Sequence, residues 1–192
     1  KHQLDEKTRQ KLIRVALEET NRLNNLASNI LVSAQLEDNK YKPSKDELDL
    51  SLLVQDTFNE VSLRYPARKF IARIEPEIEI SGDQLLLQIL VNNLLENAVR
   101  YSPPESITSC NLSRKNEIIL KVSDEGPGIP EKEKKNIFKK FYRLGSETTC
   151  QTKGTGLGLY LCRKIATDHH ATIRIRDNDP RGSEFAVIFA TD

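Results

Sequence analysis

The spacing of the apolar residues changes near residue 43 and divides the chain into two parts. Up to that point they recur at alternating steps of three and four, the heptad pattern typical of a helix that packs against other helices. This pattern predicts one helix over residues 4–41, with Asp5 as its N-cap and Pro43 beyond its end. The heptad seam consists of Ile13, Ala16, Thr20, Leu23, Ala27, Ile30 and Ala34. Such a helix cannot bury its seam alone, so we expect a helix bundle or a dimer; packing against its own globular domain is the alternative.

Beyond residue 43 the apolar residues form shorter segments, some alternating and some with helical spacing. Strands are predicted at residues 48–50, 70–74, 78–80, 107–112, 118–123, 172–176 and 185–189, and helices at 51–65, 83–101, 131–138 and 157–169. Helices combined with a sheet that contains hairpins indicate the α+β class. We therefore expect two domains, residues 1–42 with the long helix and residues 46–192 with the sheet.

The predicted helix 83–101 carries a polar stripe beside its apolar face. Four side chains share this side because they stand at positions i, i+4, i+7 and i+8. They are Asn93, Asn97, Arg100 and Tyr101. Amide oxygens are hard ligands that suit Mg²⁺, and a guanidinium pairs well with phosphate oxygens. The stripe therefore predicts a site for a magnesium–triphosphate group; an ordinary solvated polar face is the alternative.

An acidic residue, Asp124, follows the predicted strand 118–123 and is itself followed by a glycine turn. A carboxylate at a strand end can accept a hydrogen bond from the exocyclic amine of adenine. Gly126 and Gly128 would let the backbone approach the edge of the base closely and then turn away. We predict that this segment binds adenine; an Asp-Gly surface turn is the alternative.

Three glycines, Gly154, Gly156 and Gly158, stand at the start of the predicted helix 157–169. Backbone N–H groups at a helix start, approached closely through glycines, form an anion site and predict phosphate binding. The context differs from the dinucleotide fingerprint, which opens a βαβ unit, and the chain lacks the P-loop motif. Residues 145–155 have few apolar anchors, so we expect a mobile lid over the nucleotide. A glycine-rich loop without a ligand is the alternative.

A short segment before this predicted lid combines aromatic and basic residues. Phe138 and Phe141 are three apart, and we expect both to pack in the core at the base of the lid. Arg143 is a candidate catalytic residue that would stabilise charge on a transferred phosphoryl group. A surface arginine is an equally good interpretation of this position.

Composition narrows the range of functions. The net charge is +1 over 192 residues, so we expect no nucleic-acid partner. The three cysteines are odd in number and lack CxxC spacing, which favours a reducing compartment over a disulfide framework or a zinc site. No run reaches the roughly 20 apolar residues that span a bilayer. We interpret His2, His169 and His170 as structural or solvated, because none has a catalytic partner at a telling spacing.

In their order and spacing, the asparagine helix, the Asp124–Gly128 turn and the Gly154–Gly158 loop resemble the nucleotide-binding signature of the histidine kinases of bacterial two-component systems. The resemblance implies that residues 46–192 are a catalytic ATP-binding domain of the GHKL type. That fold is a two-layer sandwich of a mixed, mostly antiparallel sheet and three helices. Residues 1–42 would then contain the second helix of the dimerisation and histidine-phosphotransfer hairpin.

The resemblance also implies roles for single residues. Asn97 would coordinate Mg²⁺. Asn93 would support Asn97 and would count among both the catalytic and the nucleotide-binding residues. Arg100 and Tyr101 would contact phosphates and nucleotide, and Asp124 would recognise adenine. The remaining positions implied to bind ATP are Gly126, Gly128, Ile129, Lys153, Gly154, Thr155, Gly156, Leu157, Gly158 and Leu159.

On this resemblance the whole protein binds ATP and Mg²⁺, forms a homodimer and transfers the γ-phosphoryl group to a histidine and then to a response regulator. The chain begins at Lys1 and contains no Met, so we expect a fragment that binds ATP without phosphorylating itself, its histidine box having been left outside. It would be cytoplasmic, and attached to a membrane only through segments absent from this sequence.

Two departures from the family pattern fall in the last predicted hairpin. The third glycine box, usually Gly-x-Gly-Thr or Gly-x-Gly-Ser, reads Pro180-Arg181-Gly182-Ser183, and the segment usually close to His-Gly-Gly-Thr reads His169-His170-Ala171-Thr172. Both lie away from the predicted metal position, so we expect ATP binding to persist.

The alternatives to a histidine kinase come from the same superfamily and from outside it. Gyrase, the mismatch-repair ATPases and the heat-shock chaperone ATPase carry a Glu four residues before the metal-binding Asn, where this chain has Asn93. The lack of that base favours phosphoryl transfer over hydrolysis. An anti-sigma-factor serine kinase would not explain the long helix. A non-catalytic dimerisation module would explain the helix and none of the nucleotide motifs.

Overall fold

The computed structural model describes residues 5–38, 41–144 and 155–190. The chain forms two compact units, residues 1–42 and residues 43–192. Among the residues described, no helix has both the length and the apolar character needed to cross a membrane.

The first unit contains one helix, α1, over Glu6–Glu37. Asp5 caps it as predicted, because its carboxylate accepts hydrogen bonds from the Thr8 backbone N–H at 2.7 Å and from the Thr8 hydroxyl at 2.9 Å. The helix ends before the predicted residue 41. Many of its large apolar side chains are exposed: Leu12, Ile13, Val15, Leu17, Leu23, Ile30 and Leu31. Three of these belong to the predicted seam, which is the exposure expected of a helix that requires partner helices.

The second unit alternates strands and helices in an order close to the predicted one. Its elements are β1 (Asp46–Asp49), α2 (Leu50–Arg64), β2 (Lys69–Ile74), β3 (Glu79–Gly82), α3 (Gln84–Tyr101), β4 (Ile107–Arg114), β5 (Ile118–Ser123), α4 (Gly158–Asp168), β6 (Ala171–Asp177) and β7 (Ser183–Phe189). β1 and β3 form a small antiparallel pair. The main sheet has the order β2-β4-β5-β7-β6, in which only β2 and β4 are parallel. The predicted α+β class and the mixed, mostly antiparallel sheet are thus confirmed.

The core lies between the main sheet and the three helices α2, α3 and α4. Along β4 and β5 the side chains alternate between buried and partly exposed, as expected for strands with one face against helices. α3 supplies the largest share of the fully buried leucines, and the last turns of α4 complete the layer. The side chains without exposed surface include Leu86, Leu87, Leu90, Leu94, Leu95, Leu112, Leu120, Leu161 and Ile165.

The segment predicted as a helix over residues 131–138 is instead two short 3₁₀ helices, Glu131–Glu133 and Asn136–Phe138. Its backbone forms i to i+3 hydrogen bonds, such as the one from the Lys139 N–H to the Asn136 carbonyl at 2.8 Å. Only the adjacent pair Ile137 and Phe138 is buried. Because two neighbouring residues do not make an amphipathic stripe, nothing holds a longer α-helix against the core.

Candidate functional site

Helix α3 is the central element of the candidate site, and two side chains fix its start. The Asp83 carboxylate caps the helix, accepting hydrogen bonds from the backbone N–H groups of Leu86 and Ser44, each at 3.0 Å. Nε2 of His169 accepts from the Asp83 N–H at 2.9 Å, and Nδ1 of the same ring lies 2.8 Å from the Ile165 carbonyl oxygen. His169 therefore joins the end of α4 to the start of α3, which confirms its structural interpretation.

The polar stripe of α3 differs in exposure along its length. Asn93 is buried, Asn97 and Arg100 are partly exposed, and Tyr101 is 40% exposed. The Asn97 side chain forms no hydrogen bond with the residues that the structure describes, so its amide oxygen is available to a ligand. The helix thus presents one enclosed and one open amide on the same side.

Gly158, the first residue of α4, lies directly against Asn93. A Cβ built on Gly158 would stand 3.3 Å from the Asn93 Oδ1, so a side chain there would press on the amide. The glycine therefore allows the N-terminus of α4 to approach the stripe of α3. Because the backbone N–H groups of a helix start point toward anions, this approach brings an anion-binding end beside the asparagines.

Asp124 follows the end of β5 and is 6% exposed. The Gly126 N–H donates a hydrogen bond to its Oδ1 at 2.8 Å. Burial raises the pKa of the Asp124 carboxyl above its ordinary value, and the backbone N–H groups of Gly126 and Ser183 oppose this rise. The structure therefore places a carboxyl in a largely dry position, where a hydrogen bond to a ligand would be strong.

Gly126 brings this turn into contact with the end of α3. A Cβ on Gly126 would lie 2.7 Å from the Tyr101 carbonyl oxygen and 2.8 Å from the Asp124 Oδ1. No side chain fits in this gap. The predicted adenine segment and the predicted phosphate segment both therefore meet α3, one at its C-terminal end and the other near its middle.

The hairpin between β6 and β7 holds the backbone of Asp124, a role that the sequence did not indicate. The Asp124 N–H donates to the Ser183 carbonyl at 2.9 Å, and its own carbonyl accepts from the Asn178 Nδ2 at 2.9 Å. Gly182 has a φ of 104°, and a Cβ on it would stand 1.9 Å from the Asp124 carbonyl oxygen. Gly182 lies in the third glycine box, which differs from the family pattern at other positions. The box therefore retains the one glycine that this contact requires.

Gly156 packs against the segment that precedes the predicted lid. It has a φ of 70°, its carbonyl accepts from the Phe141 N–H at 3.0 Å, and a Cβ on it would lie 2.5 Å from the Phe141 carbonyl carbon. Phe141 itself has a φ of 63° and is 65% exposed. Its predicted core position is therefore wrong, because the left-handed backbone at Phe141 turns the ring outward. Phe138 is buried as predicted.

The other predicted site residues have mixed outcomes. Lys153, Gly154 and nearly all of the predicted lid lie outside the described residues. Leu157 is buried at the start of α4, and its N–H donates to the Thr155 hydroxyl at 3.4 Å. The remaining positions are partly exposed in the described structure: Gly128, Ile129, Arg143 and Leu159. Their contacts with a nucleotide stay predictions.

A buried ionic group beside the stripe was also missed at the level of sequence. Glu96 is 7% exposed and accepts from the Arg64 guanidinium at 2.7 Å and from the Tyr65 hydroxyl at 2.9 Å. The Arg64 Nη2 also donates to the Asn92 Oδ1 at 2.6 Å. Burial and, next, the Glu96 charge raise the pKa of Tyr65 to about 12. This group fixes the end of α2 to the part of α3 that bears Asn93 and Asn97. The sequence carries no clear signal for it, because Glu96 stands between Leu95 and Asn97, beside the polar stripe.

Comparison with known proteins agrees with this geometry. Residues 82–192 match the family described as histidine kinase-, DNA gyrase B- and HSP90-like ATPases. The sensor-like histidine kinase SenX3 of Mycobacterium tuberculosis is 27% identical over 186 residues, which are 95% of this chain and 45% of SenX3. The sensor protein CiaH of Streptococcus pneumoniae is 34% identical over 178 residues, which are 91% of this chain and 40% of CiaH. The chain thus spans less than half the length of these relatives.

Among solved structures, the mycobacterial sensor histidine kinase MprB superposes with a TM-score of 0.68 at 25% identity, covering 76% of this chain and 96% of the MprB chain. The matched family residues begin at Gly82 and include α3, the Asp124 turn, α4 and the hairpin behind Asp124. The chain belongs to the histidine kinase-, DNA gyrase B- and HSP90-like ATPase family, and its ATP-binding domain is of the kind found in two-component sensor histidine kinases.

Proposed function

We propose that this chain is the kinase core of a two-component sensor, and that the whole protein transfers the γ-phosphoryl group of ATP to a histidine and onward to a response regulator. The observation that carries the proposal is that two segments meet at α3. Gly126 brings the Asp124 turn to one end of the helix, and Gly158 brings the start of α4 to Asn93. Groups that can bind adenine, a metal ion and phosphates therefore lie in one row along α3.

Asp124 holds the adenine in this proposal. Its carboxyl is buried and its backbone is fixed by Ser183 and Asn178, so the acceptor oxygen is positioned before the ligand arrives. An acceptor facing the exocyclic amine selects adenine over guanine, which presents a carbonyl oxygen at the corresponding position. Tyr101, exposed and adjacent to this turn through its backbone, lies along the nucleotide.

Mg²⁺ fits the open end of the stripe. The Asn97 amide is partly exposed and forms no hydrogen bond with described residues, and an uncommitted amide oxygen is the kind of hard ligand that Mg²⁺ takes alongside phosphates and water. Asn97 would hold the ion with support from Asn93, and the bound ion would neutralise charge on the β- and γ-phosphates. Arg100, one turn further along, pairs with phosphate oxygens.

The phosphates lie at the start of α4. Gly156 and Gly158 keep this backbone close to Phe141 on one side and to Asn93 on the other, so the start of α4 lies near the row of polar side chains. Lys153, Gly154, Thr155, Leu157 and Leu159 complete this loop in the proposal. Arg143 then stabilises charge on the γ-phosphoryl group as it leaves.

The side chains around the proposed phosphate position favour transfer over hydrolysis. The position from which the ATPase branch activates water is occupied by Asn93, and an amide cannot take a proton from water at neutral pH. Without a base at position 93, the bound ATP is kept for a protein nucleophile. The exposed apolar residues of α1 support a helical partner, which we assign to the dimer that would present the phosphoacceptor histidine.

Asn97→Ala tests the metal assignment. We expect the variant to lose most of its affinity for ATP in Mg²⁺, because the ion loses its side-chain ligand, and to match the unaltered chain when the ion is removed with a chelator. Isothermal titration with and without Mg²⁺ measures both values. Asn59→Ala, on the exposed side of α2, is the matched control. Affinity unchanged by Asn97→Ala in Mg²⁺ would show that another residue holds the ion.

A further inference from the structure

A second concave site lies along β6, on residues that the proposed nucleotide site does not use. It is a cleft of about 430 Å³ between β6, the second half of α4 and the two 3₁₀ helices at residues 131–138. We call it the β6 cleft. Its lining includes the buried or half-buried apolar residues Phe138, Ile173 and Ile175, which we call its floor. It also includes the exposed basic residues Lys135 and Arg163, which we call its rim. A volume of this size is in the range of sites that hold ligands.

The rim is positively charged and not internally neutralised. Lys134 forms ion pairs with Glu131 at 2.8 Å and with Asp177 at 2.9 Å, so its single charge is offset by two carboxylates. The cleft stays positive only through Lys135 and Arg163. Lys135 and Arg163, in contrast, form no ion pair with any residue of the described ranges. Arg163 instead lies over the Phe138 ring, 5.8 Å from the centroid, which holds the guanidinium at the rim.

The strand that borders the cleft has an open edge. β6 ends the main sheet, and its seven residues pair only with β7 within the described part of the chain. The N–H and C=O groups of its outer edge therefore make no backbone hydrogen bond there. Such an edge accepts an added strand unless charge or covering structure prevents it. Arg174 and Arg176 are exposed along it, so its charge favours an acidic strand and repels a second copy of itself.

We propose that an extended acidic segment of a partner protein docks in the β6 cleft and adds a strand to β6. The backbone of the segment pairs with the open edge. Its cleft-facing carboxylates meet Lys135 and Arg163 at the rim, and their methylene groups cover Ile173 and Ile175. An apolar partner segment would leave the two rim cations desolvated and unpaired, which is the costly arrangement. The cleft thus selects for carboxylates, and the edge selects for an extended backbone.

The probe for this site is a fluorescein-labelled octapeptide of alternating Glu and Val, titrated into the 192-residue chain and followed by fluorescence anisotropy. We expect saturable binding that weakens as salt is raised. The double variant Lys135→Glu with Arg163→Glu should bind about tenfold more weakly or worse, because two attractive charges become repulsive. The matched control, Lys69→Glu with Arg73→Glu, reverses the same charges on β2, the strand at the opposite edge of the sheet.

A second probe separates strand addition from simple charge attraction. The same peptide with alternate backbone nitrogens methylated keeps its carboxylates but cannot donate ladder hydrogen bonds along one edge, so we expect its binding to be lost. ATP titration and far-UV circular dichroism establish that the variants fold. The proposal is overturned if the octapeptide does not bind, if the β6 and β2 double variants bind it equally, or if the methylated peptide binds as well as the original.

Discussion

Asp124, at the proposed adenine end of the site, is 6% exposed, and neighbouring groups hydrogen-bond its backbone N–H, its carbonyl and its Oδ1. Asn97, at the proposed metal end, is partly exposed and forms no hydrogen bond through its side chain with the described residues. The adenine end is thus part of the packed domain, and its geometry exists before the nucleotide binds. The metal end consists of side chains that acquire partners only with the ligand. We infer that changes at the adenine end alter stability and affinity together, and that changes at the metal end alter affinity alone.

The largest effect is expected from Gly182→Ala, which disrupts the close contact between Gly182 and the backbone of Asp124. Its Cβ would stand 1.9 Å from the Asp124 carbonyl oxygen, on a residue whose φ is already 104°. Backbone strain and overpacking together should lower the free energy of unfolding by about 3 kcal/mol or more. Urea unfolding without nucleotide measures the loss.

Gly128→Ala is the matched control for this substitution. Gly128 also has a positive φ, 76°, but the nearest atom to its Cβ would be 3.4 Å away. Only the conformational cost remains, about 1–2 kcal/mol. Equal losses at Gly182 and Gly128 would mean that the contact with Asp124 is not part of the packed structure.

Asp124→Asn is expected to have the next largest effect, a loss of affinity for the nucleotide. The amide retains an acceptor oxygen but loses the charge-assisted hydrogen bond to the adenine amine, which contributes about 1.5–3 kcal/mol. Isothermal titration should show ATP and adenosine weakened alike, and the preference for ATP over GTP reduced. If ATP weakened while adenosine did not, Asp124 would act on the phosphates, and the two ends of the site would be misassigned.

The difference between these ends also explains what the sequence could predict. The stripe of Asn93 and Asn97 follows from helical periodicity, a local property, and so do most boundaries of strands and helices. The support of Asp124 by Asn178 and Gly182 joins residues more than 50 positions apart, and no local pattern carries that information. The exposed ring of Phe141 was missed for the same reason, since its backbone is set by Gly156.

The buried group around Glu96 illustrates the same limit with charged residues. Its partners Arg64 and Tyr65 lie on α2, at the other end of a connection that contains two strands. Sequence alone indicated an acidic residue between two asparagines, which is compatible with a solvated stripe. The packing of α2 against α3 decides that this carboxylate is enclosed and paired.

The smallest expected effect is on stability as a function of pH. Burial raises the pKa of Asp124 in the folded chain above its ordinary value of 3.8, so folding disfavours the charged carboxyl. The stability contributed by this group is full at acid pH and is lost as the pH rises through the raised pKa. Asp124→Asn removes that loss, so the variant without nucleotide should gain stability relative to the unaltered chain between acid and neutral pH.

Urea unfolding at a series of pH values measures this difference, with Asp56→Asn on the exposed side of α2 as the control. A stability difference for Asp124→Asn that does not change with pH would mean that Asp124 is not desolvated. If Asp124→Asn instead makes the chain more stable near neutral pH and weakens ATP binding, Asp124 is a residue that serves the ligand at the expense of folding stability.

Phosphoryl transfer in trans tests the central claim most directly. The 192-residue chain is incubated with γ-labelled ATP and Mg²⁺, alone and with a separate dimerising helix pair that carries a histidine box. Without a histidine box in its sequence and with Asn93 in place of a base, the chain alone should neither label itself nor hydrolyse ATP near a typical enzyme turnover of roughly 10 s⁻¹. Added helix pairs should become labelled, with label stable to base and labile to acid. Brisk hydrolysis by the chain alone, abolished by Asn97→Ala, would contradict the account and indicate an ATPase.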